Sequence, residues 1–217
     1  ECEEAGIPVI VIDRTIDDSD KYISWVGSNF KNEGLAAGEW LKAYTDAKGI
    51  SDVNVLVIEG TTGASAQIGR TDGFKEIADA NGWNILDSQT GDFTQAGGQE
   101  VMESYIKSYE GQFNVVVCQN DNEAFGAIDA IHAAGKTCGP NGDIIVVSFD
   151  SVKAAFESMI KGDLNATFEC NPLHGPRVAE IIQKLEKGEQ VDKVQYVDEA
   201  YFDTSMDLEN ILKDRAY

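Results

Sequence analysis

Several short apolar runs in this 217-residue chain end in a polar side chain able to grip a hydroxyl. Asp13 with Arg14, Glu59, Gln119-Asn120-Asp121, Asp150 and Glu169 each stand at such an end, and Arg70 and Phe93 lie between them in sequence. A guanidinium or a carboxylate makes two hydrogen bonds to neighbouring hydroxyls, Asn both donates and accepts, and an aromatic ring covers an apolar C–H face. Together these side chains form an inventory for recognising a sugar. The acids alone also suit glycoside hydrolysis, in which two carboxylates flank the scissile bond. No pair among them is singled out, however, and Arg14, Arg70, Asn120 and Phe93 serve recognition better than proton transfer.

The runs that carry these groups are rich in β-branched residues: 8–12, 53–58, 113–118, 144–149 and 166–168. Near-continuous apolar runs mark strands buried on both faces of a parallel sheet, whose ligands sit beyond the carboxyl ends of the strands. Residues 83–89 fit one further strand. Helical spacing of apolar residues is found in 32–47, 70–80, 99–109 and 122–134, with shorter stretches at 151–160 and 176–187. Alternation of strand and helix implies right-handed βαβ units and an α/β fold built on mainly parallel, doubly wound sheets. Arg70 opens a helix on this reading, where the macrodipole disfavours a cation, so an anionic or hydroxyl partner is expected. Asp13 and Asp150 precede turns, where an Asp also caps helices, and core packing is the competing reading for Phe93. Trp25 and Phe30 read as packing residues.

Other motifs narrow the function. Residues 60–66 join a strand to a helix, yet they match neither a P-loop, nor a dinucleotide fingerprint, nor a nucleophile elbow. The two histidines, His132 and His174, offer no triad; His132 reads as structural, and His174 stands near Glu169 just past a strand end. The four cysteines, Cys2, Cys118, Cys138 and Cys170, have no zinc-like spacing, so neither a metal nor a cofactor is expected. A disulfide between two of them stays open. Seventeen basic against 38 acidic residues leave a net charge of −21, which repels nucleic acid and anionic lipid surfaces. No apolar run approaches the roughly 18 residues of a membrane span. Residues 1–6 read as the last turn of a helix stopped by Gly6.

Ile12-Asp13-Arg14, Arg70-x-x-Gly73-Phe74, Gly91-Asp92-Phe93, Gln119-Asn120-Asp121 and Ser148-Phe149-Asp150, in that order and spacing, resemble the type I periplasmic sugar-binding proteins that feed ABC transporters. Residues 60–66, 88–94 with 100–104, and 166–176 are most similar to the galactofuranose-binding branch. The resemblance implies a two-lobe fold whose hinge closure on a monosaccharide, a galactofuranose-like hexose or a pentose, is read by a membrane permease. It implies that Asp13 and Arg14 hold ring hydroxyls from lobe one, that Arg70, Asn120 and Asp150 do so from lobe two, that Phe93 stacks on the sugar, and that Glu169 stands near the second crossover. No catalytic residue is expected, and replacing Arg70 by Ala should weaken sugar binding while leaving the fold intact. The chain resembles an N-terminally truncated member, with 1–27 and 171–198 as a remnant of an incomplete lobe one and 28–170 and 199–217 as lobe two; self-association is then expected. Location outside the cytoplasm, in the periplasm or lipid-anchored at the cell surface, follows from the resemblance alone. The effector domain of a sugar-responsive transcription regulator is the alternative, and a glycoside-processing enzyme a more distant one.

Overall fold

The computed structural model describes residues 1–16 and 18–217. Its first half runs β1 (Ile10–Ile12), β2 (Ser24–Gly27), α1 (Phe30–Lys48), β3 (Asn54–Glu59), α2 (Ser65–Asn81), β4 (Asn84–Thr90), α3 (Gln95–Ser108), β5 (Val115–Cys118) and α4 (Asp121–Ala133). The remainder is β6 (Ile145–Asp150), α5 (Lys153–Lys161), β7 (Ala166–Glu169), α6 (Gly175–Glu186), β8 (Val194–Tyr196), β9 (Tyr201–Asp203) and α7 (Leu208–Asp214). The chain divides into two compact units, Glu1–Asn29 with Cys170–Glu199 and Phe30–Glu169 with Ala200–Tyr217.

The larger unit carries a six-stranded sheet of order β4-β3-β5-β6-β7-β9, parallel except for β9, which runs antiparallel to β7. Side chains alternate across each strand, so one buried run feeds two cores. Leu56, Ile58, Val116, Cys118 and Val146 face a cluster built with α3, α4, α5 and α7, while Val55, Val57, Val115, Val117 and Val147 face one built with α1 and α2. Continuous Val/Ile runs here mean strands covered on both faces, as the sequence implied.

The smaller unit has a three-stranded parallel sheet of order β1-β2-β8 and the helix α6. Its first strand departs from expectation. β1 is an edge strand, and Ile12 at its end is 51 % exposed rather than buried. Trp25 on the central strand is buried and donates from Nε1 to the carbonyls of Asp13 and Arg14 at 3.2 and 3.3 Å. Residues 2–6 form turns that end at Gly6 with φ of 67°, and Ile7 N–H returns to the Cys2 carbonyl at 2.8 Å, the closure of a helix C-terminus. No disulfide joins the cysteines among the described residues.

Candidate functional site

Three of the residues selected from sequence adopt a backbone conformation that L-residues rarely take. Asp13, Phe93 and Asp150 have φ of 62°, 58° and 99°, and Asp92 and Ser151 beside them have 58° and 60°. Such left-handed, non-glycine positions cost about 1–3 kcal/mol each and persist where surrounding bonds enforce them, most often at functional sites. Each of these turns throws a side chain off the carboxyl end of a strand.

Arg70 is the hub of the larger unit. It lies inside α2 rather than at its start, because the helix begins at Ser65 and not near Arg70. The macrodipole argument therefore does not apply, since that field fades within the first turn. What holds the guanidinium is a set of acceptors, all buried except the partly exposed Asp150: Nε donates to Glu33 Oε2 at 2.6 Å, Nη2 to Asp150 Oδ1 at 3.1 Å, and Nη1 to the Gln119 carbonyl. Its plane also lies over the Phe149 ring, 4.9 Å from the centroid. Close crossing of α1 and α2 makes the Glu33 contact possible. A Cβ on Gly73 would stand 2.2 Å from the Lys31 carbonyl oxygen, so only glycine lets the two helices approach this far. Arg70 and Glu33 are 2 % and 4 % exposed. This burial revises the expectation that Arg70 can be removed without harm to the fold, because a buried partner would be left uncompensated.

Asp150 does not cap α5. The N–H of Val152, the residue before that helix, is taken at 2.8 Å by Asp121 Oδ2, which leaves the Asp150 carboxylate facing Arg70 and 32 % exposed. Asp121 instead knots strand ends together by accepting from Ser148 and from Thr167 Oγ1. Burial, and next the neighbouring Asp150 charge, raise its pKa above the usual carboxylate range.

Phe93 and Asn120 form the second half of the arrangement. Asn120 Oδ1 caps α4 by accepting from Glu123 N–H at 2.8 Å, and its Nδ2 donates to the Phe93 carbonyl at 3.0 Å. Phe93 N–H in turn donates to Glu123 Oε1 at 2.9 Å, so the residue is clamped on both sides of its left-handed turn. Its ring packs on the bare backbone of Gly60, where an added Cβ would meet ring carbons at 1.9–2.4 Å. Burial pushes Glu123 up to about 8, against the opposing pull of the Phe93 and Asn120 N–H groups and of Arg70. Its Oε2 has no partner among the described residues.

Of the remaining expected residues, Glu169 is the register partner of Asp150 across β6 and β7. Glu169 anchors the C-terminal arm: its Oε1 accepts from Arg215 Nη1 at 2.6 Å and from the Tyr217 hydroxyl at 2.5 Å, and its Oε2 from Ala200 N–H at 3.0 Å. Asp13 and Arg14 belong to the smaller unit, each with its side chain 48 % exposed, and Arg14 Nε lies 3.5 Å from Asp13 Oδ2. His174, also in the smaller unit, is buried, and its Nδ1 has no hydrogen-bond partner among the described residues.

Glu33 and Glu123 support the arrangement and stand outside the residues that the sequence singles out, whereas Gln119 stands within the Gln119-Asn120-Asp121 strand end. Glu33 does carry a signal, since it shares the helical stripe of Ala37, Trp40 and Leu41, where an acid has no reason to sit without a cation. Glu123 carries one too: Asn120-x-x-Glu123 is a capping-box spacing. Gln119 tethers the Gly60 loop, accepting from Gly60 N–H at 3.0 Å and donating to Thr71 Oγ1 at 2.7 Å. A cavity of about 720 Å³ between α2 and strands β3 and β4 touches Arg70 and Gln119 but neither Phe93, Asn120 nor Asp150.

The arrangement can form hydrogen bonds to hydroxyls and cover an apolar face. Residues 1–190 match the family model described as periplasmic binding protein domain. A galactofuranose-binding protein of Escherichia coli is 38 % identical over 192 residues, 86 % of this chain and 59 % of the relative. A ribose import binding protein of Salmonella typhimurium is 31 % identical over 196 residues, 90 % of this chain and 62 % of the relative. The chain thus spans about 60 % of the length of these curated relatives. Among solved structures, a Mycobacterium smegmatis protein in complex with β-D-fucofuranose is 38 % identical, with a TM-score of 0.89 over 98 % of this chain and 69 % of that one. The periplasmic binding component of the arabinose ABC transporter from Shewanella, bound to L-arabinofuranose, is 34 % identical with the same score over 99 % of this chain and 70 % of its own.

Proposed function

This chain belongs to the periplasmic binding protein domain family, and from that premise we propose that it is the solute-binding component of a sugar importer, taking up a monosaccharide in its furanose form outside the cytoplasm and performing no chemical step. The observation that carries the reading is the Arg70–Asp150 pair together with the clamped Phe93 turn: a partly exposed carboxylate oriented by a buried guanidinium, and an aromatic residue fixed by Asn120 and Glu123, 27 and 30 residues further along the chain. Asp150 accepts from ring hydroxyls in this proposal, Phe93 covers the C–H face, and Asn120 and Arg70 chiefly position these two. Asp13 and Arg14, on the smaller unit, carry the same chemistry and hold further hydroxyls. Glu169 acts from behind, through the C-terminal arm that it anchors. The relatives named for galactofuranose and ribose, and the structures holding fucofuranose and arabinofuranose, support a five-membered ring as the ligand class. A membrane permease is the partner that such a component serves.

The test is a thermal-shift series with L-arabinose, D-fucose, D-galactose, D-ribose and a non-sugar polyol. A ligand that binds only the folded chain at about 100 times its Kd adds roughly 2.7 kcal/mol, which for a chain of this size raises Tm by about 5–10 °C. Absence of a shift with every sugar refutes the reading; a shift with D-ribose and none with the others narrows the ligand to ribose-like pentoses.

A further inference from the structure

The larger unit holds a second cluster with chemistry of its own, at the amino ends of the interior strands β6 and β7, opposite to the strand ends described above. His132 lies in the last turn of α4, Cys138 in the connection from α4 to β6, and Asp163 in the connection from α5 to β7. Both connections run at the amino ends of parallel strands. His132 Nε2 lies 3.6 Å from Cys138 Sγ and 3.4 Å from Asp163 Oδ1, and the three donor atoms all fall within 4.8 Å of one another.

The two His132 spacings match edges of a coordination tetrahedron. Bond lengths of about 2.0–2.1 Å to imidazole nitrogen, 2.3 Å to thiolate sulfur and 2.0–2.2 Å to carboxylate oxygen give N···S and N···O edges of about 3.6 and 3.4 Å. Backbone bonds hold the donors there: Gly139 N–H, next to Cys138, donates to the Ile144 carbonyl at 3.0 Å, and Asp163 N–H to the Ser158 carbonyl at 3.0 Å. We propose that His132 Nε2, Cys138 Sγ and Asp163 Oδ1 form a binding site for a divalent first-row transition-metal ion of the zinc class, with water as the fourth ligand. A sulfur, a nitrogen and one oxygen select such a borderline cation over magnesium or calcium, which take oxygen ligands. Cys138 is buried while the His132 side chain is 39 % exposed, so the ion enters from the histidine side, where the water completes its shell. Burial, then Asp163, push the Cys138 thiol up to about 12, so coordination displaces that proton to solvent. Lys161 Nζ lies 2.6 Å from Asp163 Oδ2 and competes for the same carboxylate, but its side chain is largely exposed and able to swing away. Sequence spacing conceals the site because its third donor arrives from a separate loop. None of the three residues belongs to the sugar-binding arrangement, so the metal site stands or falls independently of it.

Titration calorimetry with zinc chloride, paired with absorption spectroscopy of the cobalt(II) form, tests the site on the intact chain. One zinc ion is expected to bind, with a sulfur-to-cobalt charge-transfer band that disappears in C138S. His132→Ala should weaken zinc binding at least about tenfold, as losses around metal sites do, and Lys161→Ala should strengthen it severalfold by removing the competing ammonium. Cys2→Ser and Cys170→Ser should leave binding unchanged. Because His132 is partly exposed, its variant is expected to melt with the parent chain and remains decisive even if the Cys138 variant folds poorly. Failure of the parent chain to bind zinc, zinc binding undiminished in H132A, loss of binding in the Cys2 or Cys170 variants, or equal competition by magnesium overturns the proposal, leaving a thiol–imidazole hydrogen bond only.

Discussion

Removing Arg70 tests the central arrangement most sharply. Arg70 and Glu33 form an ion pair of 2.6 Å at 2 % and 4 % side-chain exposure, and Arg70→Ala would leave the Glu33 carboxylate buried without that cation. Breaking a buried pair from one side costs about 3–5 kcal/mol. For a chain of this length, each kcal/mol shifts Tm by about 2–4 °C, so the single variant should melt roughly 6–20 °C below the parent. Replacing both partners by apolar side chains of similar volume, Arg70→Met with Glu33→Leu, removes the stranded charge, and such exchanges are often neutral. The Asp150 carboxylate that also loses its partner is 32 % exposed and retains water. The double variant should therefore recover most of the lost Tm in differential scanning calorimetry while still failing to bind sugar, because nothing orients Asp150. A single variant melting within about 2 °C of the parent, or a double variant no more stable than the single, refutes the account of Arg70 as a buried, compensated hub.

Gly60→Ala places a Cβ within 1.9–2.4 Å of the Phe93 ring, which can swing outward, so it should weaken sugar affinity at least about fivefold with little change in Tm; unchanged affinity in calorimetric titration would detach Phe93 from the ligand. Glu123 is pushed up to about 8 from an ordinary value of 4.5, so the folded chain binds the extra proton and stability falls as pH rises from about 4.5 through 8. Glu123→Gln should remove that component, leaving a variant more stable relative to the parent at pH 9 than at pH 5 by roughly 2–4 kcal/mol in urea melts, and a pH-independent difference contradicts it. Self-association is expected through the open β1 edge, where Ile7, Ile12 and Ile16 are each at least half exposed, and light scattering that finds only monomer at high concentration argues against it.

Periodicity reveals the elements whose burial is uniform along their length. The Val/Ile strands of the larger unit and the helices α1, α4 and α6 fall within a few residues of their expected places, because each repeats one packing environment for several turns or pleats. Helices α2 and α3 start earlier than periodicity indicates: apart from the exposed Ile68, residues 65–69 and 95–98 are small or polar, and tertiary packing rather than propensity makes them helical. Strands β2, β8 and β9, three or four residues each, carry too few side chains to show a period, and α7 spans only seven residues. Among the proposed site residues, strand-end position picks out Asp13 and Asp150, yet it does not tell a carboxylate turned outward, like that of Asp150, from one turned inward, like that of Asp121. That choice is made by the left-handed φ at Asp150 and by the donation of the Val152 N–H to Asp121, neither of which is written in a local pattern.

The tie between Glu169 and the C-terminal arm has a bearing on how the chain assembles. Glu169 ends β7, and the 30 residues between it and Ala200, whose N–H it accepts, belong to the smaller unit. The sixth strand of the large sheet thus arrives only after the chain has left that unit and returned, and closing such a loop costs entropy before any pairing compensates. β3 to β7, linked by short helical crossovers, are positioned to form first; β9, α7 and the Arg215–Glu169 lock come last. Until they do, β7 presents an unpaired edge and Glu169 lacks its cation, so the interval before return is when this unit is most open to mispairing with another chain.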